Sequence, residues 1–184
     1  MSIELTYSRY EEIKTSAANM FEKLKISCVP INAFEIACKL GVKITPYSAY
    51  KSKVRQLLLK KSEDGFAMQE QNGQWYIFYN DEKNYGRINN TIMHEIGHIV
   101  LDHTEDSELA EKEVNFFAKY ALAPPVLIYK FALESPESIM RMFEVSHEAA
   151  TYAYSYYQKW KKVYCGEYTN YEKTIVSLFY DKTC

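Results

Sequence analysis

The stretch Ile92-Met93-His94-Glu95-Ile96-Gly97-His98-Ile99-Val100-Leu101-Asp102-His103 constrains this chain more than any other. It contains H-E-x-x-H inside a segment with helical apolar spacing. On a helix, His94 and His98 stand one turn apart on a shared face. Two imidazoles so placed grip one metal ion, and zinc is the usual choice for nitrogen ligands in this arrangement. Glu95 lies beside the first of them, where it can hold a metal-bound water and take its proton. The competing reading is two histidines satisfied on a buried helix face. The chain has only four His, which makes a chance pattern less frequent. Such a site still needs a third ligand, an open position and a place for substrate.

At 184 residues the chain is expected to form one domain spanning 1–184, with a metal-binding core at 91–125 and C-terminal helices over 126–184. Nearly half of it, 47%, is apolar, enough for a real core. A net charge of −2 gives no reason to expect binding to nucleic acid or to anionic membrane. No apolar stretch approaches membrane-spanning length, and the N-terminus lacks a secretion signal. A soluble cytoplasmic protein is the expectation. Cys28, Cys38, Cys165 and Cys184 form no C-x-x-C pair and no disulfide framework. Cys28 and Cys38 read as plain core residues and Cys184 as an exposed terminal one. The 17 tyrosines cluster late and read as half-buried helix faces, with a peptide-contacting surface as the weaker alternative.

Ser8 to Leu24 reads as a helix, with Ile13, Ala17, Met20, Phe21 and Leu24 at three- and four-residue steps. Pro30 separates it from a second short helix, Ile31 to Leu40, and Gly41 stands where a left-handed cap belongs. Val42 to Thr45 alternates as a strand. Ser48 to Lys61 reads as a helix with Val54, Leu57 and Leu58 facing in, although a strand competes over Val54 to Leu59. Gly65 to Gln69 and Gln74 to Tyr79 read as strands joined across Asn72-Gly73. Trp75-Tyr76-Ile77-Phe78-Tyr79 is either a core strand or an edge onto which an extended peptide could pair.

Asn80 to Asn89 reads as a polar loop, with Asn89, Asn90 or Thr91 capping the active helix. Gly97 in mid-helix costs about 1 kcal/mol against Ala, which points to close packing against another backbone. After a polar turn, Glu108 to Leu122 is a strong helix. Val126 to Leu133, Ser135 to Met142 and Ser146 to Trp160 read as further helices, followed by an apolar patch at Ile175 to Tyr180.

A catalytic zinc uses three protein ligands and leaves one position for water. The helix after the turn offers Glu108, Glu111 and Glu113. Glu111 shares a face with Val114 and Ala118 and lies one turn before Asn115, which could hydrogen-bond a ligating histidine. Helix phase favours Glu111 over Glu113, which points roughly the other way. It also favours Glu111 over His103, which falls at or past the helix end. Acids at a helix N-terminus are common in any case, so all three alternatives stay open at this point.

The later stretch reads Glu111-Lys112-Glu113-Val114-Asn115-Phe116-Phe117-Ala118-Lys119-Tyr120-Ala121-Leu122-Ala123-Pro124. Together with Thr91 to His98 it resembles the ImmA/IrrE family of metallopeptidase-like proteins. That family pairs H-E-x-x-H with E-x-x-A-N-x-F-A-x-x-L-x-x-P. Asn80, Arg87, Pro30, Gly41-Val42 and Ser146 to Ala150 extend the resemblance over most of the chain. Val114 departs from the usual alanine, and Ala121 and Ala123 replace larger residues. The resemblance implies an α+β zincin-like domain, mostly helical, with a short, mainly antiparallel sheet beside the H-E-x-x-H helix. It implies Glu111 as third ligand, Asn115 as its neighbour and one Zn2+ per chain. It also implies an endopeptidase that acts on a helix-turn-helix repressor in a bacterial mobile element, phage or stress response. On this reading Glu95 is the general base, with His103 or a tyrosine as a donor to the substrate carbonyl. The rival is a non-catalytic zinc-binding regulator or toxin–antitoxin-type protein that only binds its repressor. The oligomeric state is left open.

Overall fold

The first helix, α1 (Tyr7–Leu24), begins where the Thr6 hydroxyl accepts the Arg9 N–H at 3.2 Å. It ends at Lys25, in the left-handed conformation, whose N–H reaches back to Glu22 and Phe21. Ile13, Ala17, Ala18, Met20 and Phe21 form its buried face. The computed structural model to which α1 belongs describes residues 4–105 and 107–179. Helix α2 (Ala33–Lys39) is capped by Asn32, and Gly41 takes φ +74 just past its end, as its position after the apolar run predicts.

Strand β1 (Lys43–Pro46) leads through a 3-10 turn (Tyr47–Ala49) into α3 (Ser52–Lys61). Helix wins over strand here, but the helix buries none of its residues. Leu57, expected to face in, is 64% exposed, and Val54 is also exposed. The reason is that α3 packs chiefly on the short 3-10 turn, which is too small to cover its apolar side. Strands β2 (Gly65–Gln69) and β3 (Trp75–Tyr79) form an antiparallel hairpin. The reversal uses residues 71–73, with Gly73 at φ +84 in the left-handed position that such three-residue loops require.

The sheet order is β1-β3-β2, with β1 parallel to β3. Trp75 to Tyr79 is therefore the central strand, and the edge reading fails for it. Strand β1, delivered by α2, occupies the side that local sequence leaves open. Among the described residues β2 is the strand at the sheet edge beside the next helix, α4.

Helix α4 (Tyr85–Val100) starts earlier than its apolar periodicity indicates, because Asn84 is the cap and accepts the Arg87 N–H at 3.0 Å. Arg87 in the first turn grips Asp64 at 2.6 and 2.8 Å, which ties the polar opening turn to the start of β2. Asn89, expected as a cap, is instead 1% exposed inside the helix. Its amide accepts the Ala33 N–H at 2.7 Å and donates to the Ile31 carbonyl at 3.0 Å, so it clasps the start of α2.

Helix α5 (Glu108–Leu122) is capped by Ser107 and packs along α4. At the crossing, a Cβ built on Gly97 would meet Phe117 Cδ1 at 3.0 Å and Val114 Cβ at 3.2 Å. Gly97 thus serves close packing, against the side chains of α5 and not against a backbone. Helices α6 (Pro125–Lys130), α7 (Pro136–Phe143), α8 (His147–Val163) and α9 (Asn170–Leu178) complete the chain. Helix α9 packs against α1, and Glu172 at its start accepts from Trp160 Nε1 at 2.5 Å and from the Thr169 N–H at 2.8 Å. Tyr157, Trp160, Tyr164 and Tyr168 stack in sequence along α8 and the segment after it, which accounts for much of the late tyrosine cluster.

The architecture is α+β, mainly helical, with a small mixed sheet beside α4. Among the described residues, no helix is long and apolar enough to cross a membrane. Cys38 is exposed and Cys28 is half-buried, so neither is the plain core residue expected. Cys184 lies outside the described residues.

Two outcomes follow from this packing. Asn89→Ala strips partners from a buried carbonyl and a buried N–H, at about 1–3 kcal/mol each. Thermal unfolding should show a Tm lower by roughly 5–15 °C. Gly97→Val puts an isopropyl group into the α4–α5 contact and should cost about 1–3 kcal/mol, although helix propensity alone favours Val over Gly. An unchanged Tm for Gly97→Val would show that the two helices separate freely.

Candidate metal centre

Helix α4 presents His94 and His98 one turn apart, with ring centroids 5.2 Å from each other. Helix α5 carries Glu111 three residues before Val114, the residue that closes on Gly97. The close crossing therefore brings the Glu111 carboxylate over both imidazoles. His94 Nε2 lies 3.4 Å from Glu111 Oε2, and His98 Nε2 lies 3.3 Å from Glu111 Oε1. One ligand atom from each of the three residues falls within 4.8 Å of the other two, a group that could hold a metal ion. The imidazoles are 18% and 14% exposed and Glu111 is 49% exposed, so the cluster opens to solvent on the carboxylate side.

Burial lowers the pKa of His94, opposed by the Glu111 charge and by a side-chain hydrogen bond with Asn115. The neutral ring so favoured is the form that binds a metal. Asn115 also donates to the Glu111 carbonyl at 2.7 Å, which links the two residues within one turn of α5.

Glu95 faces the sheet. Its Oε2 accepts the backbone N–H of Ala67, on edge strand β2, at 2.8 Å. No pattern in the sequence marks Ala67, because the group that matters is its backbone N–H and any non-proline residue offers one.

Glu113 and His103 stand apart from the three-residue cluster. Two residues beyond Glu111, Glu113 leaves α5 in another direction. Its side chain is 6% exposed and is held by Arg9 at 2.7 Å to Oε1 and 2.6 Å to Oε2. Its other neighbour is His103 Nε2, 2.8 Å from Oε2. The Arg9 hydrogen bonds, with help from His103 and against burial, hold the Glu113 carboxyl below its usual range. His103 follows a left-handed Asp102, and its N–H bonds the His98 carbonyl at 3.0 Å. The chain thereby folds back, placing His103 Nδ1 3.3 Å from His98 Nδ1. Arg9 had no signal in the sequence, being 104 residues from its partner. His147 is exposed on α8, 3.9 Å from Glu137 and away from this group.

Two surface cavities of about 480 and 420 Å³ border the site residues' helices. Asn115 lines the first and Asn90 the second, and both share Lys119 and Tyr152.

A comparison with curated proteins finds no match. Residues 38–155 match the Peptidase M78 family, described as the IrrE N-terminal-like domain. The match spans β1 to most of α8 and so contains the H-E-x-x-H helix, its partner helix and the sheet beside them. Covering more than half of the chain, it shows that this protein belongs to the IrrE N-terminal-like family of metallopeptidases.

Proposed function

We propose that the protein is a zinc-dependent endopeptidase in which His94, His98 and Glu111 hold the metal and Glu95 moves the proton. The observation that carries this reading is the spacing of the donors. One ligand atom from each of His94, His98 and Glu111 lies within 4.8 Å of the other two, and the two oxygens of Glu111 lie 3.4 and 3.3 Å from His94 Nε2 and His98 Nε2. Nitrogen and carboxylate donors with a neutral His94 suit zinc, and the solvent-facing side at Glu111 leaves room for water and substrate.

When bound, zinc supplies a Lewis acid that lowers the pKa of a water ligand towards ~7 and polarises the scissile carbonyl. The protein's own groups do the rest. Glu95, one residue from the first ligand, accepts a proton from the attacking water and returns it to the leaving amine. The Ala67 N–H orients the Glu95 carboxylate from the sheet side. Strand β2, an exposed edge beside α4, is where an extended substrate segment pairs its backbone. The sequence offered β3 for this role as one of two readings; its central place in the sheet leaves the role to β2.

The substrate class, a helix-turn-helix repressor in a bacterial or mobile-element setting, rests on the family resemblance. The chemistry is tested with the protein purified without added metal. Wild type should carry about one zinc per chain, and Glu111→Gln should lose most of it. Glu95→Gln should keep its zinc while cleavage of a repressor from the same genome falls about 10²–10⁴-fold. A Glu95→Gln protein that still relieves repression in cells would support the non-catalytic binding alternative and remove the peptidase reading.

A further inference from the structure

Resting on that assignment of metal ligands, we propose that Arg9, Glu113 and His103 are positioning residues that fix the ring of His98 from the side away from the metal position. Helix α1 then belongs to the metal centre, although it lies before the residues matched by the family.

The chain of contacts is continuous. His98 Nε2 faces Glu111 Oε1 at 3.3 Å, and its other nitrogen, Nδ1, lies 3.3 Å from His103 Nδ1. The second nitrogen of His103 lies 2.8 Å from Glu113 Oε2. Arg9 donates to both oxygens of that carboxylate, from Nε at 2.7 Å and from Nη2 at 2.6 Å. Its Nη1 donates to Glu12 at 2.8 Å, which orients the guanidinium along α1.

Donor and acceptor chemistry gives this chain a direction. A carboxylate accepts only, so the hydrogen between His103 and Glu113 sits on His103 Nε2. The neutral ring then has a lone pair at Nδ1, which accepts the N–H of His98 Nδ1. That leaves the His98 lone pair at Nε2, on the side where Glu111 stands. Groups that donate to or accept from a ligating histidine in this way fix both its tautomer and its ring angle.

Two of the three carboxylates of α5 thus serve His98 from opposite sides, Glu111 directly and Glu113 through His103. The Arg9 fork sets the Glu113 plane, which a lysine point charge cannot do. A plain structural tie between α1 and α5 would need Arg9 and Glu113 alone. It gives no reason for His103 to be folded back at Asp102, φ +55, so that it bridges Glu113 to His98.

The test measures binding of Zn2+ alone to the full chain by competition with a chromogenic chelator, together with the visible spectrum of the Co2+-loaded protein. Wild type, Arg9→Met, Arg9→Lys, His103→Phe and the Arg9→Met/His103→Phe double variant are compared, with the Tm of each metal-free protein as a folding control. Arg9→Met and His103→Phe should each weaken zinc binding about 10–100-fold and shift the cobalt bands, with Arg9→Lys recovering only part of the loss. The double variant should bind no more weakly than His103→Phe, because the chain is already cut. His103→Phe keeps the Arg9–Glu113 pair and the docking of α1, so it decides the matter even if Arg9→Met does not fold. Wild-type zinc affinity and cobalt spectrum in His103→Phe would overturn the proposal and leave the peptidase reading standing. Absence of zinc binding by the wild type would bring down both.

Discussion

The approach of α4 to α5 at Gly97 is the contact on which the centre depends. A Cβ at this point would stand 3.0–3.3 Å from Phe117 and Val114, so only glycine lets the helices come this near without displacement. The three-residue step from Glu111 to Val114 is less than one helical turn. The contact at Val114 therefore sets how far the Glu111 carboxylate stands from His94 and His98. The helix-propensity cost of about 1 kcal/mol for a mid-helix glycine is the local counterpart of that placement. Packing density in cores makes such a contact hard to deform, and rigidity is what a site with sub-ångström tolerance needs.

Around this contact, two carboxylates on one helix have different environments. Glu111 stands half exposed over two mostly buried imidazoles. Glu113, two residues on, is buried and bound by Arg9 and His103. Their sequence separation sends them off the helix in different directions, and what each meets there differs. One meets solvent and the histidines of α4. The other meets the first turn of α1 and the turn after α4. The backbone of β2 supplies the remaining partner, taking hold of Glu95 through Ala67. Edge strand, paired helices and N-terminal helix thus converge on a few side chains.

Particular residues show where sequence reading works. The 3.6-residue period of Glu108 to Leu122 gives the helix with its observed bounds, and Ser107 is a strong local cap. Helix phase separates Glu111 from Glu113 because direction on a helix is a matter of counting. Where the reading goes astray, the partner lies far along the chain. Trp75 to Tyr79 is central because β1 pairs with it from residues 43–46. Leu57 is exposed because, among the described residues, α3 packs chiefly on a short 3-10 turn. Helix α4 starts at Tyr85 because Asn84 caps it and Arg87 finds Asp64.

Local pattern alone therefore determined the helices, the H-E-x-x-H face and the direction of each acid, since these depend on residues within a turn or two of one another. The tertiary structure decided which strand is the edge and what holds Glu95. It also decided that Glu113 answers to Arg9 and His103. Those outcomes depend on pairings between residues 10 to 104 positions apart. No periodicity records such distances, because chain topology chooses among many possible partners only when the core closes.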